Sequence, residues 1–186
     1  MRSLDWVDGA IEMVDQTKLP QVTETLRTET IPDLVAAIKR LSVRGAPAIG
    51  VAGAYGVAMA AATHPPETDR AAFDEAVLSI RNARPTAVNL AKMVDRVAPI
   101  AIADPSAALE EAHRIRDEEL EASIHMGDRG ADLVAELLPD TITVAGDRLI
   151  RAMTICNTGG LASVERGTAL AVIQTLHERE LLHEAL

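Results

Sequence analysis

Arg44, Gly45 and Ala46 lie between two predicted helices and are the chain's clearest candidate for binding an anion. The second helix begins directly after Gly45, and the backbone N–H groups and dipole of a helix start favour a negative group. Arg44 adds a permanent charge whose forked donors match phosphate oxygens. The three residues therefore predict a phosphate site. The structural alternative is that Arg44 caps the preceding helix while Gly45 ends it in the left-handed conformation.

Two further residues could act beside this site. Arg84 precedes Pro85 and Thr86 at another predicted helix start, where it could share the anion or lie on the surface as an ordinary arginine. Cys156 follows a predicted strand and precedes a glycine loop and a helix. A thiol beside a helix start can become reactive and serve as an acid, a base or a nucleophile. The alternative for Cys156 is an inert buried thiol, which is common for free cysteine.

Other common forms of chemistry leave no pattern in the sequence. The five histidines and one cysteine do not fall at metal-ligand spacing, which predicts no metal site. The sequence contains neither a P-loop nor a G-x-G-x-x-G fingerprint, so we expect no nucleotide to bind. We therefore predict that the protein uses no cofactor.

The composition limits the class of partner. The chain has 186 residues and a net charge of −10, and an acidic surface repels both nucleic-acid phosphates and anionic lipid. Its longest apolar stretch, residues 46–62, contains Pro47 and three glycines and is a little short for a membrane span. A single cysteine cannot form an internal disulfide, and Met1–Trp6 has no secretory pattern. We predict a cytoplasmic protein without nucleic-acid or membrane partners.

The elements that position these residues begin with short strands. The sequence predicts strands at Leu4–Val7 and Ala10–Val14, joined by Asp8-Gly9 in a type I′ hairpin, and a third strand at Val22–Thr28. Thr30 then caps the first of several helices. The helices are predicted over residues 30–41, 46–62, 69–82 and 86–97, with a longer helix or helix pair at 105–138.

The pattern changes in the last quarter of the chain. Strands are predicted at Thr141–Val144 and Leu149–Thr154, followed by a loop at Cys156–Gly160 and a helix at Gly167–His177. A strand, a glycine loop and a helix are the opening unit of an α/β domain. No further strand pattern follows, and Glu178–Leu186 is predicted as a polar, helix-like tail.

The predicted fold class is therefore α+β leading into α/β. Residues 1–139 form a small strand-plus-helix-bundle domain, and residues 140–186 form the start of a second domain. A parallel sheet needs several strands, because its open edges expose unpaired N–H and C=O groups. We expect the rest of this layer to be lost by truncation or frameshift, or to come from another chain.

Four motifs follow one another along the chain. They are Asp15–Pro20 (DQTKLP), Val43–Gly50 (VRGAPAIG), Arg84–Leu90 (RPTAVNL), and Cys156–Gly159 (CNTG) with Gly167–Leu170 (GTAL). Together they resemble the signatures of the methylthioribose-1-phosphate isomerase family. The resemblance implies an N-terminal domain of short strands and helices, followed by a Rossmann-like domain that binds no dinucleotide and is incomplete in this chain.

The resemblance also implies an activity. Members of the family convert 5-methylthioribose 1-phosphate, a phosphorylated pentose, to 5-methylthioribulose 1-phosphate in methionine salvage, which is an aldose–ketose isomerisation. By resemblance, Arg44, Gly45, Ala46 and Arg84 would bind the substrate, chiefly its phosphate, and Cys156 would be the catalytic thiol. A homodimer is implied for the full-length form.

The chain departs from the family pattern at several points. Ile155 stands where His is usual, Glu165-Arg166 stands where Gly-Tyr is usual, and Arg129 occupies a position that is often His. The family's general-acid aspartate, a substrate-binding glutamine and an Asn-Lys pair have no matching positions in these 186 residues. Because general acid–base help is worth about 10²–10⁴-fold, we predict little or no isomerase activity from this chain alone.

Three alternatives belong to the same superfamily or use the same helices. A ribose-1,5-bisphosphate isomerase would act on a sugar that has a second phosphate, on C5. Arg166 could serve as the basic group that binds this second phosphate. The regulatory subunits of the translation-initiation exchange factor bind rather than catalyse, and they lack the catalytic cysteine, so Cys156 counts against that role. A helical remnant acting only as a dimerisation partner is the last alternative.

Overall fold

The N-terminal part opens on a three-stranded antiparallel sheet in the computed structural model, which describes residues 2–138 and 150–186. Strands β1 (Leu4–Val7), β2 (Ala10–Val14) and β3 (Thr25–Thr28) lie side by side in chain order. The turn residues between β1 and β2 have φ values of 46° and 82°, as a type I′ turn requires, so the predicted hairpin is confirmed. The third strand begins later than predicted, because the Val22 N–H is turned to the Lys18 carbonyl at 3.0 Å.

Five helices follow, and all five were predicted. They are α1 (Ile31–Lys39), α2 (Ala46–Thr63), α3 (Arg70–Arg81), α4 (Val88–Ala103) and α5 (Ala107–Leu137). Thr30 caps α1 as expected, because its hydroxyl accepts the Asp33 N–H. The α4 helix continues past its predicted end through Pro99, which is exposed. The hydrogen bond that proline removes belongs to the exposed Asp95, where water can take its place.

Helix α2 is the centre of the N-terminal core. Its small residues let α4 approach closely: a Cβ on Gly50 would lie 3.3 Å from the Asn89 carbonyl, and one on Gly53 would lie 2.6 Å from the Leu90 side chain. By length and mean hydropathy, α2 is the one helix of the described residues that could cross a membrane, yet 78% of it is buried inside the protein. Its apolar character therefore has a structural explanation in the bundle core.

A polar network ties β1 to α2 and α5. The Asp5 carboxylate accepts hydrogen bonds from Arg116 at 2.8 Å, from Arg2 at 2.7 Å and from the hydroxyl of the fully buried Tyr55 at 3.3 Å. Burial by itself raises the pKa of Asp5, but the hydrogen bonds from Arg2 and Arg116 outweigh it and hold the pKa below its ordinary value. The ionised carboxylate therefore stabilises the folded state.

Replacing this carboxylate should change how stability depends on pH. A group whose pKa is lowered on folding contributes fully above its unfolded pKa, about 3.9 for Asp, and loses that contribution as the pH falls through the folded pKa. We expect Asp5→Asn to cost about 1–3 kcal/mol at pH 7 and to flatten the profile below pH 4, measured by urea unfolding. Asp117→Asn removes an exposed partner of the same Arg116 and should cost under about 1 kcal/mol. Equal losses and equal pH profiles would contradict this account.

The C-terminal part forms a small parallel β-α-β unit. Strand β4 (Ile150–Ala152), helix α6 (Ala169–Glu178) and strand β5 (Leu182–Ala185) follow in order, and β5 pairs with β4 in parallel. The prediction of a helix-like tail without a strand was therefore wrong. Pairing with β4 overrides the local sequence preference, since the Leu186 N–H reaches the Ala152 carbonyl at 2.9 Å. The strand predicted at 141–144 lies outside the described residues.

Helix α5 joins the two parts. Its C-terminal half packs against α6 through glycines, and a Cβ on Gly127 would lie 2.9 Å from the Ala171 carbonyl. A second apolar cluster forms there, centred on Ala131, Ile150 and Leu176 and separate from the core around α2. The mixture of helices and small sheets agrees with the predicted fold class. The Rossmann-like nature of the second domain and the domain boundary between residues 139 and 140 stay predictions.

Candidate active site

Gly45 is a point of close contact between the N-terminal part and the loop that follows β4. Its φ is +94°, and a Cβ there would lie only 2.3 Å from the backbone oxygen of Ala162. That oxygen also accepts the Ala48 N–H in the first turn of α2, at 3.0 Å. Glycine is therefore required at this position both for its backbone conformation and for the close approach of the segment around Ala162.

That segment belongs to the cysteine loop, residues 156–168, which runs from the end of β4 to the start of α6. Four further hydrogen bonds hold it to the N-terminal part. Three end on its backbone carbonyls: Ser3 N–H to Val164 at 2.6 Å, the Ser3 hydroxyl to Gly160 at 3.0 Å, and the Gln16 amide to Leu161 at 2.8 Å. The fourth runs from Arg2 Nε to the Glu165 carboxylate at 3.1 Å. The cysteine loop is thus docked beside the start of α2. The docking brings the VRGAPAIG motif against the segment between the CNTG and GTAL motifs, more than a hundred residues away in the sequence.

Arg44 and Ala46 flank Gly45 on the surface. The Arg44 side chain is exposed and has no carboxylate partner among residues 2–138 and 150–186. Several other arginines are held by acids, as Arg81 is by Asp95 at 2.7 Å. Ala46 is exposed and is the first residue of α2, where N–H groups lack helical partners. Arg44 is thus free to meet an anion at this helix start.

Arg84 lies in the turn that leads into α4. It is half-buried, and within the described part of the chain it has neither a carboxylate partner nor a hydrogen bond to the cysteine loop. The first turn of α4 packs on α2, because the Asn89 carbonyl lies against Gly50. The structure therefore brings the Arg84 turn toward the N-terminal half of α2, while Arg44, Gly45 and the cysteine loop form the closer group.

Cys156 lies just beyond β4 with its side chain exposed. An inert buried thiol is therefore excluded. Its φ is +77°, a conformation that costs a non-glycine residue about 1–2 kcal/mol. Backbone strain of this kind tends to concentrate at functional sites, and in this loop it falls on both Cys156 and Val164, whose φ is +73°.

The strain at Cys156 predicts an unusual order of stabilities. Cys156→Gly should be more stable than Cys156→Ala by about 0.5–1 kcal/mol, because glycine accepts positive φ freely and this outweighs its greater freedom when unfolded. At the neighbouring exposed Asn157, which does not have a positive φ, the alanine variant should be the more stable one. Urea unfolding of the four variants measures both differences, and the same order at both positions would contradict the strain.

No group of three His, Cys, Asp or Glu residues is placed to hold a metal ion within residues 2–138 and 150–186. The predicted absence of a metal and of a cofactor stays a prediction. The groups that could take part in a reaction are an exposed arginine at a helix start and an exposed thiol on a docked loop. An arginine at a helix start can bind an anionic group, and a thiol can exchange a proton or act as a nucleophile.

Two residues of this junction were not singled out as site residues from the sequence. Ala162 carries no chemical signal, and its role depends on a contact that only the fold creates. Gln16 lies in the DQTKLP motif, which could have pointed to it, but its burial cannot be read from the sequence. The structure places Gln16 at 5% exposure between the Arg44 turn and the cysteine loop.

Comparison with known proteins places this arrangement in a family. The model of the initiation factor 2 subunit family matches residues 42–183, which include the Arg44 turn and the cysteine loop. The chain belongs to the initiation factor 2 subunit family. Within that family it is 43% identical over 181 residues to a methylthioribose-1-phosphate isomerase of Xanthomonas oryzae pv. oryzae, covering 94% of this chain and 48% of the relative. The predicted resemblance is thereby confirmed.

Two solved structures are also similar to the chain. The chain matches 5-methylthioribose 1-phosphate isomerase from Pyrococcus horikoshii OT3 with a TM-score of 0.83 and 29% identity, over 99% of this chain and 51% of that one. It also matches the delta subunit of translation initiation factor eIF-2B from A. fulgidus, with a TM-score of 0.73 and 35% identity, over 100% and 54%. The chain spans about half the length of the curated relatives it matches.

Proposed function

We propose that this chain carries the phosphate-binding and thiol part of an aldose–ketose isomerase site for 5-methylthioribose 1-phosphate. The observation that carries the proposal is the docking of the cysteine loop on Gly45, which joins the exposed thiol's loop to the helix start beside Arg44. Relatives named as methylthioribose-1-phosphate isomerases supply the substrate.

The reaction explains why these groups are needed together. With its C1 oxygen tied to phosphate, the sugar cannot open to a free aldehyde. The ring bond between C1 and O4 must break, a hydrogen leaves C2 for C1, the C2 hydroxyl becomes a carbonyl, and O4 gains a proton. Arg44 and the α2 start would hold the phosphate on C1, which fixes the reacting carbons. The Cys156 thiol would then exchange one of the protons.

A second proton-transfer group completes such a reaction. General acid–base catalysis by one positioned group is worth about 10²–10⁴-fold. We propose that this second group lies in the half of the relatives' length that these 186 residues do not span. The expected isomerase rate of the 186-residue chain is accordingly at least about 100-fold below that of a full-length relative.

The environment of Arg166 favours the thioether sugar over a bisphosphate. Arg166 is engaged by Glu178 at 2.7 Å and by the Thr175 hydroxyl at 2.8 Å. A second phosphate on C5 would have to displace Glu178 from this pair. Arg166 is therefore a poor candidate for the basic group that ribose 1,5-bisphosphate requires.

Calorimetric titration of the 186-residue chain tests the proposal. We expect 5-methylthioribose 1-phosphate to bind at least about tenfold more tightly than ribose 1,5-bisphosphate, a difference of about 1.4 kcal/mol. The reverse preference would favour the bisphosphate isomerase. The likeness to the eIF-2B delta subunit supports a second candidate, a non-catalytic binding role. Absence of binding for both sugars would favour that role.

The remaining expectations belong to this proposal. We propose a homodimer for the full-length form, a cytoplasmic location and no nucleic-acid partner, consistent with the net charge of −10. We also propose that the protein does not insert in a membrane, because α2 is mostly buried by the other helices of the bundle.

A further inference from the structure

The side chain of Gln16 is a buried carboxamide whose oxygen accepts no hydrogen bond from the described residues. Gln16 is 5% exposed, and its Nε2 donates to the Leu161 carbonyl at 2.8 Å. Its Oε1 is buried and has no donor among the described residues. An acceptor left in this state costs free energy unless a donor is supplied from elsewhere.

The orientation of the carboxamide follows from its one partner. A carbonyl oxygen can only accept, so the amide NH₂ group must face Leu161 and the Oε1 atom must face away from it. Flipping the amide would place Gln16 Oε1 against the Leu161 carbonyl oxygen, and neither atom can donate a hydrogen bond. The unused acceptor is therefore a property of the fold rather than of an arbitrary assignment of the two amide atoms.

The position of Gln16 connects this acceptor to the candidate site. Its backbone N–H donates to the Ser42 carbonyl at 3.0 Å, two residues before Arg44. Its side chain contacts Leu161, and the next residue, Ala162, lies against Gly45. Gln16 thus lies where the Arg44 turn and the cysteine loop meet.

We infer that Gln16 is a substrate-binding residue whose Oε1 accepts a hydrogen bond from a hydroxyl of the sugar that Arg44 holds by its phosphate. This inference rests on the proposed function. An ionised phosphate oxygen has no proton to give, so the Gln16 acceptor selects a hydroxyl, whereas Arg44 selects the phosphate. The described residues give Oε1 no donor, and a ring hydroxyl beside the phosphorylated carbon would supply one.

Two probes and a matched pair of variants test the inference. Gln16→Met keeps the length of the side chain but removes the acceptor and one hydrogen bond to the cysteine loop. Ser3→Ala removes a hydrogen bond to the same loop, at Gly160, without touching the acceptor. We expect Gln16→Met to bind 5-methylthioribose 1-phosphate about 3- to 10-fold more weakly than the wild type. Its affinity for inorganic phosphate should be unchanged, and Ser3→Ala should bind both probes as the wild type does.

The outcomes separate the inference from the proposed function. Unchanged sugar-phosphate affinity in Gln16→Met would mean that water alone fills the acceptor, and equal losses in both variants would mean that Gln16 only anchors the loop. Either result overturns the inference and leaves the proposed function standing. If the wild type binds neither probe, the proposed function fails and the inference fails with it.

A measurement on the wild type covers the case in which Gln16→Met does not fold. Ribose 1-phosphate and its 2-deoxy and 3-deoxy analogues are compared by calorimetry. We expect the 2-deoxy analogue to bind about 3- to 10-fold more weakly than ribose 1-phosphate, and the 3-deoxy analogue to lose less. Equal affinities of ribose 1-phosphate and its 2-deoxy analogue would overturn the inference.

Discussion

Gly45→Ala is expected to lower the free energy of unfolding by about 3 kcal/mol or more. Two costs add at this position. The backbone has a φ of +94°, and the new Cβ would lie 2.3 Å from the Ala162 oxygen. That oxygen belongs to the backbone, so it cannot rotate aside, and the cysteine loop itself would have to move.

Gly9→Ala is the matched control for this prediction. Gly9 also has a positive φ, of +82°, but a Cβ there would meet nothing within 4 Å. Gly9→Ala should therefore lower the free energy of unfolding only by the cost of the backbone strain, about 1–2 kcal/mol. Urea unfolding of both variants gives the difference, which measures the contact between Gly45 and the loop. Equal losses would mean that the cysteine loop does not dock on α2.

Arg44→Met is expected to weaken the binding of 5-methylthioribose 1-phosphate and of inorganic phosphate by about 10- to 150-fold. A hydrogen bond between charged groups contributes more than a neutral one, and the start of α2 alone cannot replace the lost charge. Stability should change by less than about 0.5 kcal/mol, because Arg44 is exposed and has no carboxylate partner within the described ranges.

The control for this substitution is Arg81→Met. Arg81 is held by Asp95 at 2.7 Å, so its removal changes the net charge by the same amount without touching the site. Calorimetric titration should give wild-type affinities for this variant. Equal weakening in both variants would show that the phosphate responds to overall charge rather than to Arg44.

Structural features that depend only on residues close together in the sequence were predictable. The Asp8-Gly9 turn and the Thr30 cap follow from local chemistry, and both occur as expected. Helix α4 was predicted too short because the cost of Pro99 depends on its exposure, which the sequence does not give. The final strand was missed because β5 exists only through its pairing with β4.

In the candidate site, too, local features were predictable and long-range contacts were not. Arg44 and Cys156 could be identified by residue type and by their position before helices, and the structure shows both as exposed. The docking of the cysteine loop could not be foreseen, since Gly45 and Ala162 are brought together by the fold alone. The pairing of Arg166 with Glu178, one helix away, was hidden for the same reason.

Alkylation of Cys156 tests most directly whether the Arg44 turn and the cysteine loop form one site. Cys156 is the chain's single cysteine, so mass spectrometry after iodoacetamide treatment reports on this position alone. The account predicts that saturating 5-methylthioribose 1-phosphate slows alkylation in the wild type, and that the same concentration slows it less in Arg44→Met. If the sugar phosphate binds, as calorimetry would show, and Cys156 is alkylated at an unchanged rate, the phosphate and thiol sites are separate and the account is wrong.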